Sequence, residues 1–109
     1  MKILSEIKTA LSVVGMQNFS IELKKYSDQA FGNYVAELTD GLNRLELVCD
    51  RGQVFMEIWD SKKNQFVACT DLFPEMEKVY TSNLNEVGLG EWTIEDILRS
   101  YNEVAQSRS

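Results

Sequence analysis

Histidine is absent from the 109 residues of this chain, and proline occurs once, at Pro74. Without an imidazole there is no Ser-His or Cys-His pair to activate a nucleophile, and no histidine ligand for zinc. Cysteine is scarce too. Cys49 and Cys69 lie in apolar, strand-like surroundings and form no Cys-x-x-Cys pair, so they read as reduced core thiols. Basic residues number 11 against 17 acids, which gives a net charge of −6. Affinity for phosphate backbones comes from Lys and Arg, so nucleic acid is not expected as a partner. Long apolar runs are also missing. The richest, Leu45-Glu46-Leu47-Val48-Cys49, already holds a charge and falls far short of the ~20 residues that cross a bilayer. No membrane partner is expected. The opening Met1-Lys2-Ile3-Leu4-Ser5-Glu6 meets an acid before an apolar segment forms. No signal peptide is expected there, and the expected location is the cytoplasm.

What remains is ordinary globular usage. At 44% hydrophobic and 26% charged, the chain can bury one core, and a single domain over residues 1–109 is expected. Ile3, Leu4, Ile7, Leu11 and Val14 recur at helical spacing, so residues 2–14 read as an amphipathic helix stopped by Gly15. The period then changes to two. Alternating runs centre on Phe19-Ile21-Leu23 (bounded by Ser27-Asp28), Tyr34-Ala36-Leu38, Leu45-Leu47-Cys49 and Val54-Met56-Ile58. A short fifth run, Phe66–Cys69, follows the polar tip Ser61–Asn64. Turns rich in Gly, Asp and Asn between such runs predict an antiparallel meander. From Thr70 to Gly90 the pattern breaks, and a loop with one helical turn near Pro74–Val79 is expected. Thr93 is a good N-cap, and Ile94, Ile97, Leu98, Tyr101 and Val104 form the apolar stripe of a last helix that frays into Ala105–Ser109. The expected fold class is α+β: an N-terminal helix, a four- to five-stranded antiparallel meander and a C-terminal helix, with the helices on one sheet face.

Reactive chemistry is sparse. Gly88-Leu89-Gly90 lacks the third glycine and the preceding strand of a dinucleotide loop, so it reads as a flexible turn. Carboxylates are plentiful, yet no spacing singles out a catalytic or calcium-binding pair. No catalytic residue, cofactor or metal is expected, and the chain reads as a binding protein rather than an enzyme.

The acidity is concentrated. Between Asp71 and Asp96, seven acids (Asp71, Glu75, Glu77, Glu86, Glu91, Glu95 and Asp96) meet one base, Lys78. Such a stretch is either a solvated loop or an electrostatic dock for a basic partner, where charge raises association rates. A second candidate is the sheet face away from the helices. Alternation puts Glu22, Lys24, Tyr26, Val35, Glu37, Glu46, Val48, Phe55, Glu57 and Trp59 there, one glutamate per main strand. Exposed aromatics among carboxylates suggest an interface.

The segment running from Arg44-Leu45-Glu46-Leu47 through Asp50-Arg51-Gly52 to Met56-Glu57-Ile58 resembles the central hairpin of small cytosolic immunity proteins. These accompany bacterial polymorphic toxins, including those of contact-dependent growth inhibition. The likeness extends to size, acidity and an opening helix before a meander. It implies neutralisation of one cognate toxin domain, often a nuclease, by covering its basic active site or an exosite. It carries over no catalytic residues. The residues expected to meet the toxin are Glu57, Trp59, Asp71, Glu75, Glu77, Glu86, Glu91 and Trp92. A rival reading is a small acidic secretion chaperone or adaptor that wraps an effector segment as a dimer; monomer and homodimer both stand open.

Overall fold

The computed structural model describes residues 2–27, 32–88 and 90–108. Helix α1 spans Lys2–Val13 and buries Ile7, Ala10 and Leu11. Its end follows from Gly15, whose φ of +82° suits the left-handed cap. Gly15 N–H donates to the Ser12 carbonyl at 3.2 Å, and Met16 N–H to the Leu11 carbonyl at 2.7 Å. This is a Schellman cap, closed by contact between buried residues.

Five strands follow in chain order: β1 Ser20–Ser27, β2 Asn33–Thr39, β3 Arg44–Asp50, β4 Gln53–Asp60 and β5 Gln65–Ala68. Each pairs antiparallel with the next, so the sheet is the expected meander. Turn chemistry sets the register. Arg51 and Gly52, both at positive φ, make the two-residue turn between β3 and β4. Asp40 accepts the N–H groups of Asn43 and Leu42 at 2.7 and 2.9 Å, closing the turn between β2 and β3. Those N–H bonds, Asn43 first, hold the Asp40 carboxyl below its ordinary pKa.

Tyr34, Ala36, Leu38, Leu45, Leu47, Val54, Met56 and Ile58 are buried in one core with residues of α1 and of the last helix. The opposite face differs from expectation at one place. A bulge between Leu23 and Lys25 sets Lys25 opposite Val35 and Tyr26 opposite Tyr34. Tyr26 therefore joins the core-side row, because one extra residue reverses the side on which everything after it points. The bulge and its two lysines also blunt the free edge of β1.

The stretch after β5 is more helical than its loop-like composition suggests. It forms α2 (Cys69–Leu72), a 3₁₀ turn (Pro74–Met76) and α3 (Glu77–Ser82). Pro74 stands at the start of the 3₁₀ turn, where a missing N–H removes no bond. Cys69, Met76 and Val79 are the buried positions that tie these pieces to the core. Helix α4 spans Ile94–Ser107 under a full capping box. Thr93 Oγ1 accepts Asp96 N–H at 3.1 Å, and Asp96 Oδ2 accepts Thr93 N–H at 2.8 Å. Ile97, Leu98 and Tyr101 are buried as the stripe requires. The expected fraying from Ala105 is corrected: the helix continues to Ser107, and Arg108 pairs with Glu75 at 2.6 Å. Asp28, Leu89 and Ser109, to which turn, loop and fray were assigned, lie outside the described residues. No helix among the described residues is long and apolar enough to cross a membrane.

Candidate functional site

Register turns the four strand glutamates into a single row. Glu22 faces Glu37, Glu37 faces Glu46, and Glu46 faces Glu57 across successive strands. Directly opposed like charges destabilise a sheet, so the row needs cations. Two arrive from within the fold. Lys24 Nζ lies 3.0 Å from Glu46 and 3.5 Å from Glu37, and Arg44 reaches both oxygens of Glu37 at 3.2 and 3.3 Å. The Arg44 guanidinium, first, and Lys24 hold the Glu37 carboxyl below its ordinary pKa. Arg44 also lies over the Trp59 ring at 4.3 Å and the Phe66 ring at 5.3 Å. Lys24 of β1 comes within 5.4 Å of the Phe66 ring on β5. The Lys24 side chain therefore leans across the outer face toward the far edge of the sheet. The sheet face is thus largely self-neutralised, and Trp59 is half-buried beneath Arg44 and Phe66 rather than free.

Glu22 and Glu57 are the two of the row that no cation reaches among the described residues, and of these Glu22 is exposed whereas Glu57 is half-buried. Burial, and then the Glu46 carboxylate opposite, push the Glu57 pKa up. Between the ordinary glutamate pKa and that raised value the folded chain binds more protons than the unfolded one. Stability therefore falls as pH rises through this window. Glu57→Gln is expected to unfold at a higher urea concentration than the parent at neutral pH. The difference should vanish below the ordinary glutamate range; an equal or lower midpoint at neutral pH would remove Glu57 as a strained charge.

β5 pairs only with the second half of β4, from Glu57 onward. The first half of that edge is closed by side chains instead. Trp92 Nε1 donates to the Val54 carbonyl, and Met56 N–H donates to the Tyr80 hydroxyl at 3.3 Å. The two rings meet edge-on with centroids 4.7 Å apart. Phe55 joins them at 5.7 Å from Tyr80 and 5.6 Å from Trp92 while remaining 38% exposed. Trp92 is therefore a half-buried strut of the sheet edge. Phe55 links the outer face of β4, where Glu57 is its same-side neighbour, to the acidic segment beyond β5.

No family model, curated protein or solved structure matches this chain.

The expected acids divide. Asp71 on α2, Glu77 at the head of α3, and Glu86 and Glu91 on the following loop are exposed and carry no ion pair among the described residues. Glu75 is exposed but paired with Arg108, whose guanidinium lowers its pKa. Beside Glu86 and Glu91 stand two apolar side chains that sequence reasoning passed over: Leu84, 50% exposed, and Val87, 77% exposed. The loop is held in shape by the Leu84–Gly90 bridge and by Glu91 N–H on the Asn83 carbonyl at 2.7 Å. The signal for them was present: two apolar residues in an Asn- and acid-rich stretch that ends in glycines. Leu84 and Val87 supply apolar contact beside the charges of Glu86 and Glu91, and on the outer face of β4 Phe55 does the same beside Glu57. That is the composition of a protein-docking patch. No three of His, Cys, Asp and Glu among the described residues converge to hold a metal ion.

Proposed function

We propose that this chain is an immunity-type inhibitor that binds and neutralises a basic toxin domain, a nuclease above all, and has no catalysis of its own. The observation that carries the reading is the exposed apolar trio Phe55, Leu84 and Val87 set among acids that the fold leaves without cations. A nuclease site is built to hold phosphates, so carboxylates held on a shaped surface are suited to oppose it. The same chain spends Lys24 and Arg44 to neutralise its sheet face, which makes the uncompensated acids of the second segment stand apart. We place its action in the cytoplasm, and two free cysteines accord with a reducing compartment.

The test is co-purification with a basic toxin domain, sought as the C-terminal domain of a protein encoded by a neighbouring gene. A one-to-one complex is expected on gel filtration. Glu86→Lys combined with Glu91→Lys is expected to weaken it by about 2 kcal/mol, roughly thirty-fold, at low salt and by less as salt rises. Glu75→Gln, whose carboxylate is already occupied by Arg108, serves as the near-neutral control. Unchanged affinity of the folded double variant at low salt would remove the acidic segment from the interface.

A further inference from the structure

A cleft of about 1010 Å³ opens between α1 and the head of α4, at the end of the sheet that carries Tyr34. Its lining includes the carboxylates of Glu6, Glu95 and Asp96, one base, Lys2, and the indole of Trp92. At its floor Tyr34 is only 4% exposed, and its hydroxyl has no hydrogen-bond partner among the described residues. A buried polar atom left unpaired is rare and calls for a missing partner. Burial, first, and then the Cys49 thiol and Glu6 raise the pKa of that hydroxyl, so it is protonated at neutral pH with its lone pairs free.

The charge of the cleft identifies the class of that partner. The head of α4 contributes ~0.5 of a positive charge and Lys2 contributes one more, yet three carboxylates outweigh them. An anion is disfavoured there. Asp96 is engaged in the capping box and Glu95 pairs with Arg99 at 3.2 Å, whereas Glu6 has no hydrogen bond or ion pair among the described residues. One free carboxylate, one unpaired hydroxyl and an aromatic wall match the planar, many-donor guanidinium better than a compact ammonium. We propose that this cleft receives an arginine side chain of the basic partner, with Glu6 as its counter-ion, Trp92 as a stacking surface and the Tyr34 hydroxyl, turned out of its buried position, as a hydrogen-bond acceptor. This rests on the reading of the chain as a binder of a basic protein, and it extends that surface round Trp92 onto α1.

The probe is N-acetyl-arginine amide, titrated into the full chain and compared with its neutral isostere, N-acetyl-citrulline amide, by amide and indole NMR shifts. Saturable shifts at Glu6, Tyr34, Cys49 and the Trp92 indole are expected with arginine and not with citrulline. Glu6→Gln is expected to weaken the response roughly tenfold. Tyr34→Phe should weaken it less while leaving the urea midpoint unchanged or higher, since it removes an unsatisfied group. Shifts absent from these positions, equal shifts with citrulline or with N-acetyl-lysine amide, or an indifferent Glu6→Gln would each overturn the assignment. Because the probe is a small molecule, its outcome is independent of the toxin test. Arginine binding without toxin binding sinks the proposed function alone.

Discussion

Trp92→Ala is expected to lower the free energy of unfolding by about 3 kcal/mol, because one half-buried side chain does two jobs at an open sheet edge. The indole ring packs against Tyr80 and Phe55, and its N–H satisfies the Val54 carbonyl on the part of β4 that β5 does not cover. Truncation to alanine leaves a hole beside Tyr80 and a bare strand carbonyl. Full burial of a tryptophan would set the loss at ~3–5 kcal/mol; partial exposure reduces the packing share and the lost hydrogen bond adds ~1. Trp92→Phe is therefore expected to cost only about 1 to 2 kcal/mol, keeping most of the ring contact. Gly90→Ala should approach the alanine result by another route, since a Cβ at Gly90 would fall within the Trp92 ring. Urea unfolding of the three variants checks the ordering. The uncovered edge also invites pairing between copies, so Trp92→Ala should elute earlier on gel filtration as concentration rises. A Trp92→Ala melt that overlays the parent's would show that the edge is closed by something other than this side chain.

Arg44→Ala is expected to cost about 2 kcal/mol, with the loss falling in a Glu37→Gln background. Arg44 grips both oxygens of Glu37 and covers Trp59 and Phe66. Its side chain is 41% exposed, so solvent screening keeps the ion-pair share modest, and the remainder comes from uncovered aromatic surface. The row of facing glutamates sharpens the effect: without Arg44, only Lys24 remains between Glu37 and Glu46. The folded pKa of Glu37 is depressed, so its contribution is present above the ordinary glutamate pKa. It is lost as pH falls through the folded value. The Arg44→Ala penalty should therefore shrink in acid. A double-mutant cycle gives the coupling directly, with about 1 kcal/mol expected between Arg44 and Glu37 at neutral pH. Strict additivity of the two substitutions would show that the pair contributes nothing to the fold.

Most of the fold was legible in the order of the residues alone. The helical stripe of Ile3, Leu4, Ile7, Leu11 and Val14, the capping Thr93 and the Asp50-Arg51-Gly52 hairpin turn are local signals, each complete within a few neighbours. The segment beyond β5 was read less well. Its helices are four to six residues long, too short for a period to show, and the segment is held by scattered core positions, Cys69, Met76 and Val79.

The candidate site divided in the same way. That Glu86 and Glu91 are exposed acids could be expected from composition, since a stretch so polar cannot be buried. Two aromatic residues expected to greet a partner, Trp59 and Trp92, are half-buried, one beneath Arg44 and one against the edge of β4. Nothing in their local sequence separates an anchor held out to a partner from a strut turned inward. The difference is made by Arg44 and Val54, 15 and 38 positions away.

The sequence by itself determined the two long helices, the strands, their order and the sign of the surface, because periodicity, turn chemistry and charge belong to neighbouring residues and survive any folding of the whole. Tertiary structure alone decided which charges remain available. One bulge in β1 set the side on which Lys25 and Tyr26 fall, strand register brought four glutamates into one row, and two cations reached only part of it. Whether a carboxylate is spent within the fold or offered to a partner depends on distances across strands, and those exist only once the sheet has formed.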